Sequence, residues 1–536
     1  MHPIREALQN GPPPQCQQIA GVAPLVLRPS LPWSTPALVV LSAIFIYLQV
    51  FVLPCTPRLA SGDQAIYLHH ATRMLAGELI YRDYDHFTFP GTDVLYAALF
   101  KLFGVHAWIP QAMLVVLGAT LVWLIFRISR KLISGTTAYL PALLFIALPF
   151  SSYLDATHHW YSLVAVTAAL AILLERRTPR RLAWAGACVG IATFFTQSMA
   201  LLAIGFALFL LWEHNQAAQS RTLLLTKQLS LLLSFSGTLA ACMSYFVWKV
   251  GLKQIWYYTV VFVAKYYPAD WFNNWHVYLT GRPQLHAWTT WLDLPAFALM
   301  HLLVPSVYVL FSIGYFFRWW PTQSGEERRR LMLINITGLF LFLTVASAPA
   351  YSRLYVVSPP ALILLAWIFQ SRIARQRLLL RLTWLMVFVV LFARPLVTQI
   401  RWKAHLDLPT GRTAFFDPLL YDKCKWMSER THPSDYFFGD HLLAFTLRLR
   451  NVGRVPFLRP TDYTRPEEVA DAIQALDKFQ VRFVSWYIGL DREKDAVRHP
   501  EGNHLASIRQ YLLQHYHVAK TFANGDQIWQ RNSESN

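Results

Sequence analysis

Eleven apolar runs strung along 536 residues leave this chain few ways to fold. They cover 36–53, 108–128, 138–154, 160–174, 183–196, 199–212, 229–250, 294–317, 331–346, 354–369 and 379–392. A run of roughly 17–25 apolar residues crosses a bilayer, where each backbone N–H and C=O must be satisfied within the segment. The runs therefore predict about eleven spanning helices, with short hairpins near Asp155 and Gln197. Composition agrees, since 55% of the residues are hydrophobic and only 15% charged. A soluble chain of this length rarely reaches that balance.

Charge gives the runs an orientation. The net charge of +18 is not gathered on one polar face, which excludes a nucleic-acid partner. Basic residues recur instead in short clusters between apolar runs, as in cytoplasmic loops beside anionic lipid. The clusters at 127–131 (RISRK), 175–181 (ERRTPRR), 318–330 and 371–377 (SRIARQR) all fall on one side if the N-terminus is cytoplasmic. Asp63, Asp155, the loop 253–291, Arg353 and everything from about Thr398 then face outward. The first residues lack an apolar signal-peptide core before Trp33, so the first span reads as a retained anchor. Five cysteines make no disulfide scaffold. Cys188 and Cys242 fall in apolar runs, and Cys55 and Cys424 both face the outer side.

These signals divide the chain into a cytoplasmic tail (1–33), a membrane domain (34–397) with its first outer loop at 55–107, and a soluble extracytoplasmic domain (398–536). In the last part, Thr464, Pro466 and Glu467 form a capping-box start to a helix over 468–479. Residues 481–487 (VRFVSWY) are β-branched and aromatic, a strand pattern, and 505–516 reads as a helix. Segments 518–522 and 527–530 flank Asn524-Gly525, a hairpin turn signal. The fold class is a polytopic α-helical membrane protein with a small C-terminal α/β domain.

Chemistry concentrates in 57–104, PRLASGDQAIYLHHATRMLAGELIYRDYDHFTFPGTDVLYAALFKLFG. Asp63 follows the first span within a few residues and precedes an apparent helix over 64–76. A carboxylate near a helix N-terminus stays ionised, as a general base must. Its plainer reading is a helix-start residue that keeps the loop soluble. Asp155, in YLDATHHWY, stands at a span's outer end, with His158 three residues on and so on the same helix face. The two carboxylates bracket an acceptor hydroxyl, hold a divalent metal, or in Asp155's case simply cap the interface. A hard metal prefers more carboxylates than these, and zinc wants further ligands. Arg353 offers a planar fork to a phosphate, or an interface anchor. The aromatics of 253–291 suit sugar stacking but more simply belt the interface. Gly77 and Gly91 belong to no phosphate-cradling loop, so a nucleotide-sugar donor has no visible site.

The Asp after the first span, Ala-x-x-Met-Leu-x-Gly at 71–77, Tyr81 with Asp83, Pro90 and Lys-Leu-Phe-Gly at 101–104 resemble the GT-C glycosyltransferases. The resemblance is to the bacterial family related to protein O-mannosyltransferases, aminoarabinose transferases and lipopolysaccharide-core transferases of the Rgt type. It extends to 186–200 (GACVGIATFFTQSMA) and 353–360 (RLYVVSPP), and so covers about 33–392. It implies a polyprenyl-phosphate sugar donor, a hydroxyl acceptor on a lipid, glycan or protein, and inversion at the anomeric carbon. It also implies reaction at the outer face of a bacterial cytoplasmic membrane. In that frame Asp63 is the base and Asp155 the second acidic residue. Arg353 binds the lipid phosphate, and Tyr81, Asp83, His86, His158 and Gln197 complete the substrate site. No cofactor is required, though a divalent metal on Asp63 and Asp155 is compatible.

Three positions depart from the family pattern: Gln64 replaces a Glu, Phe89-Pro90-Gly91 replaces Lys-Pro-Pro, and Thr196-Gln197 replaces a Lys. Two cations near the phosphate are thereby missing, and Arg73, Arg82, His86, Lys265 or Arg282 are the substitutes at hand. The alternatives are a transporter or flippase of lipid-linked glycans and a non-catalytic envelope assembly subunit. A transporter would show internal repeats and mid-span charges. Here the acidic residues lie at one face.

Overall fold

The computed structural model describes residues 34–59, 62–217, 220–280, 293–317, 324–372, 377–455, 458–491 and 504–532. All eleven predicted runs are helical. The first seven lie in α1 (Ser34–Val50), α4 (Trp108–Ser129), α5 (Leu140–Phe145, continued by a π-turn to Phe150), α6 (His158–Leu173), α7 (Pro179–Phe195), α8 (Leu201–Ala217) and α9 (Arg221–Val250). The outer loop inserts α2 (Gln64–Leu75) and α3 (Gly91–Phe103). The last four runs lie in helices Val304–Phe316, Gly325–Val345, Ser358–Arg372 and Arg377–Ile400. Among the described residues, five stretches are long and apolar enough to cross a membrane alone, and four apolar helices are shorter. Trp248, Phe316 and Phe392 are largely exposed on this bundle, as side chains facing lipid are.

Two packing devices matter for the site. Helices α7 and α9 touch backbone to backbone, and a Cβ at Gly186 would lie 2.2 Å from the Leu231 carbonyl. Small residues allow such contact where no water drives association. Pro149 lies inside the π-turn that continues α5; the helix runs on to Ser152, and the chain is then without helix from Tyr153 until α6 begins at His158. Asp155 therefore sits in a loop and shares no helix face with His158, contrary to the spacing argument.

Three basic clusters do share one end of the bundle. Lys131 pairs with Glu175, and Arg330 donates to the Lys131 carbonyl. Arg177 bridges Glu213 at 2.7 Å and Glu326 at 3.0 Å. The tail 1–33, most of the 371–377 cluster and Arg282 lie outside the described residues.

At the other end, the chain on either side of the membrane domain is stitched together. Strands β1 (Phe51–Val52), β2 (Thr56–Leu59), β3 (Ala404–Leu408) and β4 (Gly411–Phe415) form a sheet in the order β1-β2-β4-β3. Its β2–β4 pair is parallel, with Arg58 opposite Ala414. The second sheet comprises β5 (Tyr436–Phe438), β6 (Arg450–Asn451), β7 (Phe483–Trp486), β8 (Tyr516–Thr521) and β9 (Gln527–Arg531), ordered β6-β5-β7-β9-β8. The predicted strand is β7, and β8–β9 is the predicted hairpin, with Gly525 at φ 92° in its turn. Helices Pro466–Lys478 and Ala506–His515 answer the two predicted ones. The first starts differently, for Arg465 is its N-cap and donates its N–H to Glu468 Oε2 at 2.9 Å. Cys55 is exposed and Cys424 buried, and both thiols are free.

Candidate active site

Asp63 sits at the first turn of α2 and makes no capping bond with its own side chain. The cap comes from Asp155, whose Oδ1 accepts the Gln64 N–H at 3.0 Å. Gln64 Oε1 in turn accepts the Ala156 N–H at 3.1 Å. Unsatisfied N–H groups and the helix dipole both favour a carboxylate there, so the two outer segments clasp each other. The approach leaves room for glycine alone at 62, since a Cβ would lie 2.7 Å from Asp155 Oδ2.

Asp63 and Asp155 line a cavity of about 460 Å³ together with Arg58, Arg394 and Arg401. Arg58 comes from β2. Arg394 stands near the end of helix Arg377–Ile400, and Arg401 follows directly after its last residue. Arg394 bonds Asp293 Oδ1 at 2.7 Å and Ser152 Oγ at 2.9 Å. Arg58 lies 4.9 Å over the Phe416 ring, and its Nε has no hydrogen-bond partner among the described residues. Burial and the neighbouring Arg401 push the Arg58 pKa down to about 10. Guanidiniums crowded in this way want an anion between them.

Both carboxyls sit above their usual range. Asp63 opens to the cavity yet is ringed by protein, and loss of bulk solvent raises it while Arg353 and Arg459 pull it back. Asp155 is raised by burial and then by the Asp63 charge, with backbone N–H groups opposing. Such a pair titrates jointly. Guanidiniums favour the anion of Asp63 and backbone N–H groups that of Asp155, so the two share one titration. As a metal site the pair offers two carboxylates, with no third His, Cys, Asp or Glu close enough among the described residues. Arg353 and Arg459 also act on Asp63.

The other predicted site residues divide into layers. Arg353 donates to Tyr267 Oη, Asn273 Oδ1 and the Ala348 carbonyl, each at 2.9 Å, so its fork is engaged while its charge acts on Asp63. His158 Nδ1 meets Tyr67 Oη at 2.5 Å, and His86 Nε2 meets Thr88 Oγ1 at 2.6 Å. Gln197 Nε2 donates to the Phe87 carbonyl at 2.7 Å, tying the outer loop to the α7–α8 hairpin. Tyr81 is fully buried at φ 68° and donates to the Thr88 carbonyl. Asp83 accepts the Leu79 N–H and pairs with Arg82 at 2.6 Å. None of Tyr81, Asp83, His86, His158 or Gln197 lines the arginine-bearing cavity. Of the substitute cations, Arg73 is held by Glu78 and the Gly453 carbonyl, and Lys265 lies over Tyr266.

Sequence reasoning missed Arg58, Arg394, Arg401 and Arg459. The i, i+7 spacing of Arg394 and Arg401 at the end of the last span was a usable signal. Arg58 and Arg459 gave none, because strand pairing and domain docking bring them in. Arg459 Nε bonds Asp270 Oδ2 at 2.8 Å.

Comparisons with known proteins bear on the fold and on one stretch of the sequence. The family model for dolichyl-phosphate-mannose-protein mannosyltransferase matches residues 89–248, which include Asp155 and Gln197 but not Asp63. Among curated proteins no sequence matches significantly. In fold, the chain is similar to ArnT from Cupriavidus metallidurans, solved bound to undecaprenyl phosphate, with 13% identity and TM-score 0.52 over 93% of this chain and 98% of that one. It is also similar to the Archaeoglobus fulgidus oligosaccharyltransferase complexed with Zn and sulfate, with 12% identity and TM-score 0.52 over 91% and 72%. The archaeal oligosaccharyltransferase AglB, from the same organism and with an inhibitory peptide and a dolichol-phosphate, gives 12% identity and TM-score 0.51 over 94% and 74%. The chain thus shares the fold of ArnT and of the archaeal oligosaccharyltransferases, and its residues 89–248 match the mannosyltransferase model.

Proposed function

We propose that this protein transfers a sugar from a polyprenyl-phosphate donor to a hydroxyl acceptor at the outer face of the membrane, with inversion at the anomeric carbon. The observation that carries this reading is Asp63, which opens into an arginine-lined cavity while Arg353 and Arg459 favour its anion. In the reaction the acceptor oxygen attacks the anomeric carbon and gives its proton to Asp63. The bond from that carbon to the phosphate oxygen breaks, and the prenyl phosphate leaves with the electron pair. Phosphate is already a weak base, so it needs cations more than a proton. Arg58, Arg394 and Arg401 supply them. One displacement with one base inverts the centre. Asp155 holds the N-terminus of α2 and so positions Asp63.

Support for a lipid-phosphate donor comes from the name of the matching family model and from the prenyl phosphates bound in two proteins of like fold. The acceptor has its own approach. A second cavity of about 260 Å³ lies between α2 and the C-terminal domain, lined by Ala65, His441, Arg459, Trp486 and Tyr487, and it also reaches Gly62. The two cavities meet at the segment that carries Asp63, the place for a hydroxyl and an anomeric carbon to meet.

The test is a mass comparison of envelope glycans from cells with and without the gene. Loss of one sugar residue from one glycan, restored by the wild-type gene, is the expected result. Identical glycans in both strains would remove the proposed activity.

A further inference from the structure

We propose that His70, His86 and Asp93 bind a divalent transition-metal ion, best matched by zinc, at a site separate from the Asp63–Asp155 pair. One ligand atom from each residue lies within 4.8 Å of the other two, and all three side chains are buried. His70 Nδ1 is 3.1 Å from Asp93 Oδ1. Thr88 Oγ1 takes His86 Nε2 at 2.6 Å, and the other ring nitrogen, Nδ1, has no hydrogen-bond partner among the described residues. Asp93 Oδ2 has none either. Hydrogen bonds within the cluster leave both buried atoms unsatisfied, which proteins avoid. A cation satisfies both at once.

The donor set decides the metal. Two imidazoles and one carboxylate are the ligands of zinc and its neighbours, whereas calcium and magnesium take oxygen alone. Bonds of roughly 2.0–2.1 Å place tetrahedral ligands a little over 3 Å apart. His70 and Asp93 are already at that spacing, and His86 has the remaining distance to close. Thr88 is the outer partner that fixes a metal-binding imidazole's tautomer.

Its position gives the ion a task. His70 lies two turns along α2 from Asp63, Asp93 is in the first turn of α3, and His86 is in the loop between them. His441 of the C-terminal domain has its ring centroid 5.8 Å from that of His70. The ion would lock the helix that presents Asp63 to its neighbours, as a positioning element and not as a participant in sugar transfer.

The experiment uses the full-length, tag-free protein in detergent, incubated with zinc chloride, desalted and analysed for metal. About one zinc per chain is expected for the wild type and for Asp155→Asn, and at least tenfold less for Asp93→Asn and His86→Gln. Zinc absorption spectroscopy on the wild type needs no variant and should report two imidazole ligands. No retained zinc in the wild type, zinc without imidazole ligands, or zinc lost in Asp155→Asn but kept in Asp93→Asn would each overturn the assignment. None of these readouts involves sugar transfer, so failure here leaves the reading of Asp63 standing.

Discussion

Asp63 and Asp155 show how one acidic residue type takes two roles from its surroundings. Asp155 gives its oxygens to the backbone at the start of α2, while Asp63 points into the cavity under the field of Arg353 and Arg459. A base whose carboxyl pKa is held down by a cation keeps working to lower pH. Removing that cation raises the pKa, so Arg459→Gln should move the acidic limb of the pH–rate profile to higher pH. Rates measured across the acidic range check this, and an unmoved limb would break the link between Arg459 and the base. Arg58 and Arg401 belong to the leaving-group side. Charge-assisted hydrogen bonds contribute about 1.5–3 kcal/mol each, so Arg58→Gln should weaken undecaprenyl phosphate binding roughly tenfold. Titration of the purified protein with that lipid reads the change. The two acids were legible because each follows an apolar run on the same side. Arg58 was not, because its place depends on β2 pairing with β4 across more than 350 residues.

Among the elements, the apolar runs became helices because lipid leaves a backbone no other option. The local rule that failed was the Asp155–His158 spacing, which needs one helix over both residues, whereas the first helix ends at Ser152 and the next begins at His158. At the opposite end of the bundle, Arg177 joins the α6–α7 turn to Glu213 of α8 and Glu326 of the helix Gly325–Val345. Glu213 is only 4% exposed. Breaking a buried pair by removing one partner typically costs about 3–5 kcal/mol, so Arg177→Ala should be strongly destabilising. Thermal unfolding in detergent checks it. A melting point equal to wild type would mean that water or lipid headgroups already solvate Glu213. Only the basic clustering of this end could be read in advance, since its acidic partners come from separate helices.

For the whole molecule, the membrane helices and the C-terminal domain build one site between them. The strand entering the Asp63 loop pairs with β4, in the hairpin that follows the last span, and Arg459 of the C-terminal domain bonds Asp270. This arrangement places one cavity on each side of Gly62. The order of segments was legible from hydropathy and charge; their closure was not, because it rests on long-range strand pairing that leaves no periodic trace. The central claim is that Asp63 removes the acceptor proton. It is tested most directly by sugar transfer in membranes carrying Asp63→Asn at wild-type protein levels, with undecaprenyl phosphate binding measured alongside. Loss of a positioned general base should lower the rate by about 10²–10⁴-fold while the lipid still binds. Transfer at the wild-type rate would contradict the account.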